Sequence, residues 1–340
     1  MEAFAVIIGI AHYQEEKKLH QLDGAINDAQ AFYDWAINPK GGKVTTENAI
    51  LLLSQNNFTQ VITDQIEDAL INMIQKALAK KQEDPSLRFY FFFSGHGLGL
   101  SINDVAMLVT NWRQYAPGRG ISSFQYNEDI INRGIFSEAF FFIDCCRSRY
   151  VGVRPMTSRL RDLGAYEGAN NTLSLVAMAT SHHTSAYQEV GDSASKMSYF
   201  TRALLSILNG EDFTQTEDIT VSQLQGLLEK KTSELAKEDD RTQDVRFYGQ
   251  FLDIDRVVFQ IDGKVLPSTS TNVIFEFSNE TEGPYVLENG ILEEINQWDK
   301  DGGNWELSLP RGLYTILDSA TSKEKSIKVR NENTLQHVKF

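Results

Sequence analysis

The chain has 340 residues, of which 41% are hydrophobic and 23% charged, so it can form one large domain with a small one, or two medium domains. This composition, with 23 glycines and 7 prolines, excludes collagen-like, low-complexity and wholly disordered chains. Its 46 acidic residues outnumber 32 basic residues, and the net charge of −14 has the wrong sign for a partner such as nucleic acid.

The N-terminus and the cysteines indicate a cellular compartment. Met1-Glu2-Ala3-Phe4 has no basic stretch ahead of an apolar one, and no run of about 18 apolar residues occurs, so we expect a cytoplasmic protein without a membrane partner. The neighbours Cys145 and Cys146 cannot link distant segments. Two adjacent thiols and six scattered histidines do not supply the paired ligands of a zinc site, and we assign no metal ligand.

Short apolar runs alternate with helical patterns through the first two-thirds of the chain, which predicts an α/β fold around a mainly parallel sheet. Several runs are apolar on both faces, as buried parallel strands must be. The predicted core strands are residues 4–10, 49–53, 87–93, 105–109, 139–143 and 173–179. Apolar residues at helical spacing predict helices at residues 24–35, 63–80, 200–208 and 221–236.

The pattern changes after about residue 259, where Gly, Pro, Ser and Asn separate short alternating stretches. These stretches are residues 273–277, 305–309 and 313–316. We therefore expect two domains, an α/β domain over residues 1–260 and a small all-β sandwich domain over residues 261–340.

Two of the predicted strands end in residues that carry chemistry. Ser94-Gly95-His96-Gly97 follows one apolar strand, and Asp144-Cys145-Cys146-Arg147-Ser148 follows another. Ligands bind at the carboxyl edge of open α/β sheets, so both motifs are expected at that edge. A cysteine nucleophile reacts as its thiolate and needs an imidazole nearby to move protons. The two motifs together indicate nucleophilic catalysis by cysteine.

These two motifs resemble the catalytic motifs of the caspase and metacaspase superfamily of cysteine peptidases. His96 precedes Cys146 by 50 residues, and the caspase signature has a separation of about 50. The resemblance covers roughly residues 4–255. It implies a caspase-like α/β/α sandwich with a six-stranded, mainly parallel sheet. It also implies that Cys146 is the nucleophile, that His96 transfers protons, and that the amides of Gly97 and Cys146 form the oxyanion hole.

The resemblance further implies that Cys145 is a buried spacer and that a backbone carbonyl orients His96. Metacaspases that cut after Arg or Lys have acids at two motif positions, which are here Asp28 and Asp144. A carboxylate pair suits a guanidinium, so we expect protein substrates cleaved after basic residues.

Two alternatives stay open at this point. A peptidase that cuts after Asp is one, because Arg147 could favour acidic substrates, although we expect Arg147 to pack locally. The other is a catalytically idle caspase-like scaffold for protein interactions, against which the presence of both His96 and Cys146 argues.

Two further expectations concern cofactors and processing. Metacaspases typically have acidic calcium ligands after the histidine motif, but residues 98–112 are poor in acids, so the sequence gives no firm support for calcium or any other cofactor. The loop at residues 147–171 is rich in arginine, and in caspases the equivalent region is cut. We therefore expect self-processing of a zymogen there, with Arg149, Arg154, Arg159 and Arg161 as candidate sites. The C-terminal domain is expected to bind a regulatory partner or to stabilise the protein.

Overall fold

The structure, a computed structural model, divides into two compact units, Met1–Lys264 and Val265–Phe340. It describes residues 1–14, 19–54, 60–81, 83, 86–113, 115–116, 118–149, 160, 171–181, 184, 186–187, 196–211, 213, 216–250, 254–261, 271–277, 282–289, 294–299, 305–309, 312–329 and 336–340.

The first unit alternates strands and helices along the chain. Its elements are β1 (Glu2–Ile10), α1 (Asp23–Ile37), β2 (Ala49–Ser54), α2 (Thr63–Lys81), β3 (Leu87–Gly95), β4 (Gly97–Ser101), β5 (Asp104–Leu108), β6 (Gly120–Ser122), α3 (Ser123–Ile131), β7 (Glu138–Cys145), β8 (Ser148–Arg149), β9 (Leu173–Met178), α4 (Tyr199–Leu208), β10 (Glu217–Thr220), α5 (Val221–Glu238), β11 (Arg246–Gln250) and β12 (Val257–Ile261).

Six of these strands form the central sheet, in the spatial order β11-β9-β7-β3-β1-β2. Neighbouring strands are parallel, except that β11 runs antiparallel to β9. Both faces of the sheet are apolar and covered. Phe89 and Phe91 pack with α2 and α3, whereas Tyr90 and Phe92 pack with α1, α4 and α5. This alternation confirms the predicted α/β/α sandwich with six strands.

One predicted core strand was wrong. Residues 105–109 correspond to β5, which lies in a separate four-stranded sheet of order β6-β5-β4-β8. Ile102 and Asn103 alone separate β4 from β5, and a parallel neighbour would need a crossover of a dozen or more residues. The sixth place in the central sheet belongs to β11. Its residues are largely half-exposed, so it lacks the apolar run by which a buried strand is recognised.

The second unit is all β, as the C-terminal pattern indicates. Its strands are β13 (Thr271–Glu276), β14 (Tyr285–Asn289), β15 (Glu294–Trp298), β16 (Trp305–Leu309), β17 (Gly312–Asp318), β18 (Lys323–Val329) and β19 (Gln336–Lys339). They form two sheets, β16-β13-β19 and β15-β14-β17-β18. Phe275 from the first sheet and Leu287 and Ile316 from the second share one buried core.

Candidate active site

The site is built where β3 and β7 end beside each other. These parallel strands are in register up to the pair Gly95↔Cys145. Just beyond, β4 and β8 are again parallel, beginning with the pair Leu98↔Ser148. Every pair in both ladders joins residues that are 50 positions apart. His96 and Cys146 lie between the two ladders with the same separation in sequence, so their main chains run beside each other.

Strand alternation explains the different surroundings of the two cysteines. Asp144 and Cys145 are consecutive residues of β7, so their side chains point to opposite faces of the sheet. Cys145 belongs to the apolar cluster on the α2 side and is buried, as expected for it. Burial is the main cause that raises the pKa of the Cys145 thiol well above its usual range, and this thiol is therefore held protonated.

Cys146 follows the last residue of β7 and is half-buried. Its thiol contacts the main chain of Ala186 in the segment after β9. The Ala186 N–H donates to Sγ over 3.3 Å, and Sγ lies 3.5 Å from the Ala186 carbonyl oxygen, which accepts from it. The next residue is also attached to this segment, because the Arg147 N–H donates to the Thr184 carbonyl at 3.0 Å.

His96 is held by its main chain and by its ring. The main-chain N–H donates to the Tyr13 hydroxyl at 2.7 Å, and Nε2 lies 2.7 Å from the His20 carbonyl oxygen. Burial of the imidazole, the largest effect on this group, lowers the pKa of His96 below its ordinary value. The neutral form of the ring is therefore favoured at physiological pH.

The glycines beside His96 are required by close contacts. A Cβ at Gly97 would lie 2.6 Å from the Cys146 carbonyl oxygen and would also overlap Cys145 Sγ. A Cβ at Gly95 would lie 2.7 Å from the Tyr13 hydroxyl. A larger residue on either side would therefore push His96 away from its neighbours.

The two candidate substrate-binding acids lie together at the start of α4. Asp28 is 0% exposed and Asp144 is 3% exposed. Ser198, the N-cap of α4, joins them: its N–H donates to Asp28 Oδ1 at 2.9 Å, and its hydroxyl donates to Asp144 Oδ2. Ser94 donates to the other oxygen of Asp28 at 2.9 Å, and Thr201 donates to Asp144 Oδ2 at 2.6 Å.

Burial dominates the ionisation of Asp144. It raises the pKa of this carboxyl to about 6, although the hydroxyls of Ser198 and Thr201 favour the charged form. A carboxylate at the N-terminus of α4 is also favoured by the helix dipole.

Arg147 packs locally, as expected from the sequence. The side chain is 0% exposed, and its guanidinium donates to the carbonyls of Ser101 and Ile102 at 2.6 Å and of Thr180 at 3.1 Å. These bonds connect the turn between β4 and β5 to the residues just after β9.

Some candidate residues lie outside the described part of the chain. Arg149 is described only by its main chain in β8, and Arg154, Arg159 and Arg161 fall outside the described residues. Within the described ranges, no three His, Cys, Asp or Glu side chains are grouped as a metal site requires. None of the described helices is long and apolar enough to cross a membrane.

Four residues of the site were not found from the sequence. Tyr13, His20 and Ala186 lie in loops without periodic pattern, and His20 and Ala186 act through main-chain atoms that every residue has. Ser198 had a usable signal, because serine directly before an apolar helical run is a preferred N-cap.

These observations define a class of α/β/α proteins that carry a thiol and an imidazole on adjacent strand ends. Residues 2–249 match the model of the caspase domain family, so the chain belongs to that family. A probable protease from a Desulfuromonadales bacterium is 28% identical over 219 residues, or 62% of this chain. The chain spans 26% of the length of that relative. The crystal structure of caspase-1 from Spodoptera frugiperda matches at a TM-score of 0.46 and 12% identity, over 74% of this chain and 90% of that one.

Proposed function

We propose that this chain is a cysteine endopeptidase in which Cys146 is the nucleophile and His96 transfers protons. The observation that carries the proposal is the constant 50-residue separation between the paired strands before and after the two residues. The two ladders support the proposal because they hold the main chains on both sides of Cys146 and His96 next to each other, and nucleophilic catalysis requires a thiol and an imidazole in a fixed arrangement.

The hydrogen bond of His96 supports this role. The His20 carbonyl can only accept, so Nε2 carries the hydrogen, and in the neutral ring Nδ1 is the basic nitrogen. The lowered pKa keeps the ring neutral near pH 7, where Nδ1 can take the proton of the Cys146 thiol.

The reaction then follows acyl transfer. Cys146 Sγ bonds to the carbonyl carbon of the scissile peptide, and the C–N bond breaks as His96 gives its proton to the leaving amine. Water, deprotonated by His96, attacks the thioester and releases the acid and the thiol. The amides of Gly97 and Cys146 are proposed as the oxyanion hole, where each donor contributes about 3–4 kcal/mol to the transition state.

We further propose protein substrates cleaved after Arg or Lys, with Asp28 and Asp144 as the binding acids. The two acids are buried and joined by Ser198, and a substrate guanidinium would supply the positive charge that balances them. Its charge-assisted hydrogen bonds to the carboxylates would be stronger than those from neutral hydroxyl groups. Arg147 gives little support to a preference for Asp, because its guanidinium already donates to three main-chain carbonyls.

Self-processing remains part of the proposal. Cleavage after Arg149, Arg154, Arg159 or Arg161 would divide the chain within residues 147–171, and a regulatory partner would bind the second unit. N-terminal sequencing of purified fragments tests the cleavage. Fragments that begin after one of these arginines support it, and a single intact chain in the active enzyme contradicts it.

A panel of fluorogenic peptides ending in Arg, Lys or Asp tests the activity, with and without calcium. We expect hydrolysis after Arg and Lys, loss of at least about 1,000-fold in Cys146→Ala, and retention in the matched variant Cys145→Ala. Equal hydrolysis by the wild type and Cys146→Ala would contradict the peptidase assignment.

A further inference from the structure

The loop between β1 and α1 holds His96 at two separate points. Tyr13 lies three residues after β1, and its hydroxyl accepts the main-chain N–H of His96 at 2.7 Å. His20, from the same loop, accepts from Nε2 of the ring at 2.7 Å. One loop therefore contacts both the main chain of His96 and the far end of its side chain.

The ring of Tyr13 also packs against the imidazole. The two ring centroids are 4.9 Å apart, and the planes are inclined by 54°. Tyr13 itself is only 3% exposed. The ring therefore covers part of the half-buried imidazole, and burial is the main cause of the lowered pKa of His96.

The hydroxyl of Tyr13 has a second function at the main chain. His96 lies in the gap between the end of β3 and the start of β4, where the sheet ladders are interrupted. A partly buried N–H is stabilised by an acceptor, and the Tyr13 hydroxyl supplies that acceptor. Gly95 leaves the space for it, because a Cβ there would lie 2.7 Å from the hydroxyl oxygen.

We propose that Tyr13 is a positioning residue for His96: its hydroxyl fixes the main chain of His96, and its ring holds the imidazole against the His20 carbonyl. This inference rests on the proposed function, since the position of His96 affects the rate only if His96 transfers the proton. Tyr13 acts through His96, and a displacement of about 1 Å in a catalytic group can reduce the rate about 100-fold.

Tyr13→Phe tests the hydroxyl alone, because the ring is kept. We expect kcat for a peptide ending in Arg to fall about 10- to 100-fold, with KM changed less than about threefold. Tyr126→Phe is the matched control. Its hydroxyl is equally buried but donates to Glu67 at 2.9 Å, so we expect kcat within about twofold of the wild type.

Tyr13→Ala tests the ring through the pH profile. Water that reaches the imidazole raises the pKa of His96 towards its ordinary value, so the acid limb of kcat/KM should move up by about half a pH unit or more. In Tyr13→Phe the ring still covers the imidazole, and the limb should not move. If Tyr13 only stabilised the fold, the two variants would not differ in this way. Tyr13→Phe would not lower kcat while its acid limb stays in place, and Tyr13→Ala would not move the acid limb.

NMR titration of the His96 ring separates this inference from the proposed function. If the wild type cleaves no peptide, the peptidase assignment fails, while a raised pKa of His96 in Tyr13→Ala still supports the positioning. An unchanged pKa in Tyr13→Ala overturns the inference. So does a kcat for Tyr13→Phe equal to that of Tyr126→Phe in an active enzyme.

Discussion

Arg147 stands next to the proposed nucleophile and directs its guanidinium to main-chain carbonyls. Arg147→Lys removes the planar fork that reaches Ser101, Ile102 and Thr180 together. We expect the free energy of unfolding to fall by about 2–4 kcal/mol, since each hydrogen bond to a charged group contributes about 1.5–3 kcal/mol. Urea unfolding measures it.

The control for this change is Arg119→Lys. Arg119 is exposed and donates to the Asn111 carbonyl at 3.1 Å, so we expect a change within about 0.5 kcal/mol. Equal urea midpoints for Arg147→Lys and the wild type would contradict the structural role of the guanidinium.

From the raised pKa of Asp144 we predict that the preference for basic substrates depends on pH. This pKa is raised to about 6 by burial, so the carboxylate that we propose to bind a substrate guanidinium forms as the pH rises through that value. The ratio of kcat/KM for a peptide ending in Arg to that for its neutral citrulline analogue should rise with pH around 6. The titration of His96 affects both substrates, so its effect cancels in this ratio.

In Asp144→Asn the ratio should be at least about tenfold lower at pH 7, because one charge-assisted contact is lost. It should also lose its dependence on pH around 6. A ratio in this variant that still rises as in the wild type would show that Asp144 does not bind the guanidinium.

At the scale of the elements, the fold followed from the sequence where burial leaves a pattern. Runs of apolar residues revealed β1, β3, β7 and β9, because strands covered on both faces are apolar throughout, and also the half-buried edge strand β2. The edge strand β11 has no such apolar run. The buried strand β5 has one, although it lies outside the central sheet. Periodicity reports burial, and it does not report which sheet a strand joins.

The same limit applies to the site. His96, Cys146, Asp28 and Asp144 carry side-chain chemistry that motifs reveal, and the structure brings the two acids together through Ser198. The contacts of His20 and Ala186 are made by main-chain atoms, and a carbonyl or amide leaves no trace in residue type. Their place depends on how the loops cross the sheet edge.

Gly97 lies at the junction between β3 and β4, where an added methyl group should disturb the alignment of the two ladders. In Gly97→Ala the new methyl would lie 2.6 Å from the Cys146 carbonyl oxygen, so His96 and Cys146 should separate. We expect kcat/KM to fall at least about 100-fold, because alignment within about 1 Å is needed. A peptide assay beside circular dichroism measures it.

Gly226→Ala is the matched control. Gly226 lies in α5, and nothing is within 4 Å of its added methyl, so we expect normal activity and a gain of about 0.5–1 kcal/mol in stability. Activity of Gly97→Ala equal to that of Gly226→Ala would contradict the close contact.

At the scale of the whole molecule, each unit has its own buried core, so we expect two unfolding transitions. Ile316 is 0% exposed in the core of the second unit, and Ile316→Ala should destabilise that unit by about 2–5 kcal/mol. Calorimetry should show one transition shifted to lower temperature and the other unchanged.

The matched variant for the first unit is Ile7→Ala, since Ile7 is 0% exposed in the central sheet. It should shift the other transition. A single transition that moves equally in both variants would contradict independent cores.

The central claim is that Cys146, beside a neutral His96, is the nucleophile. Treatment with a peptidyl-arginine chloromethyl ketone followed by peptide mapping in a mass spectrometer tests it directly. We predict one adduct per chain, on Cys146, formed at least about 100-fold more slowly in His96→Ala. An adduct on Cys145, or labelling of Cys146 at the same rate without His96, would contradict the account.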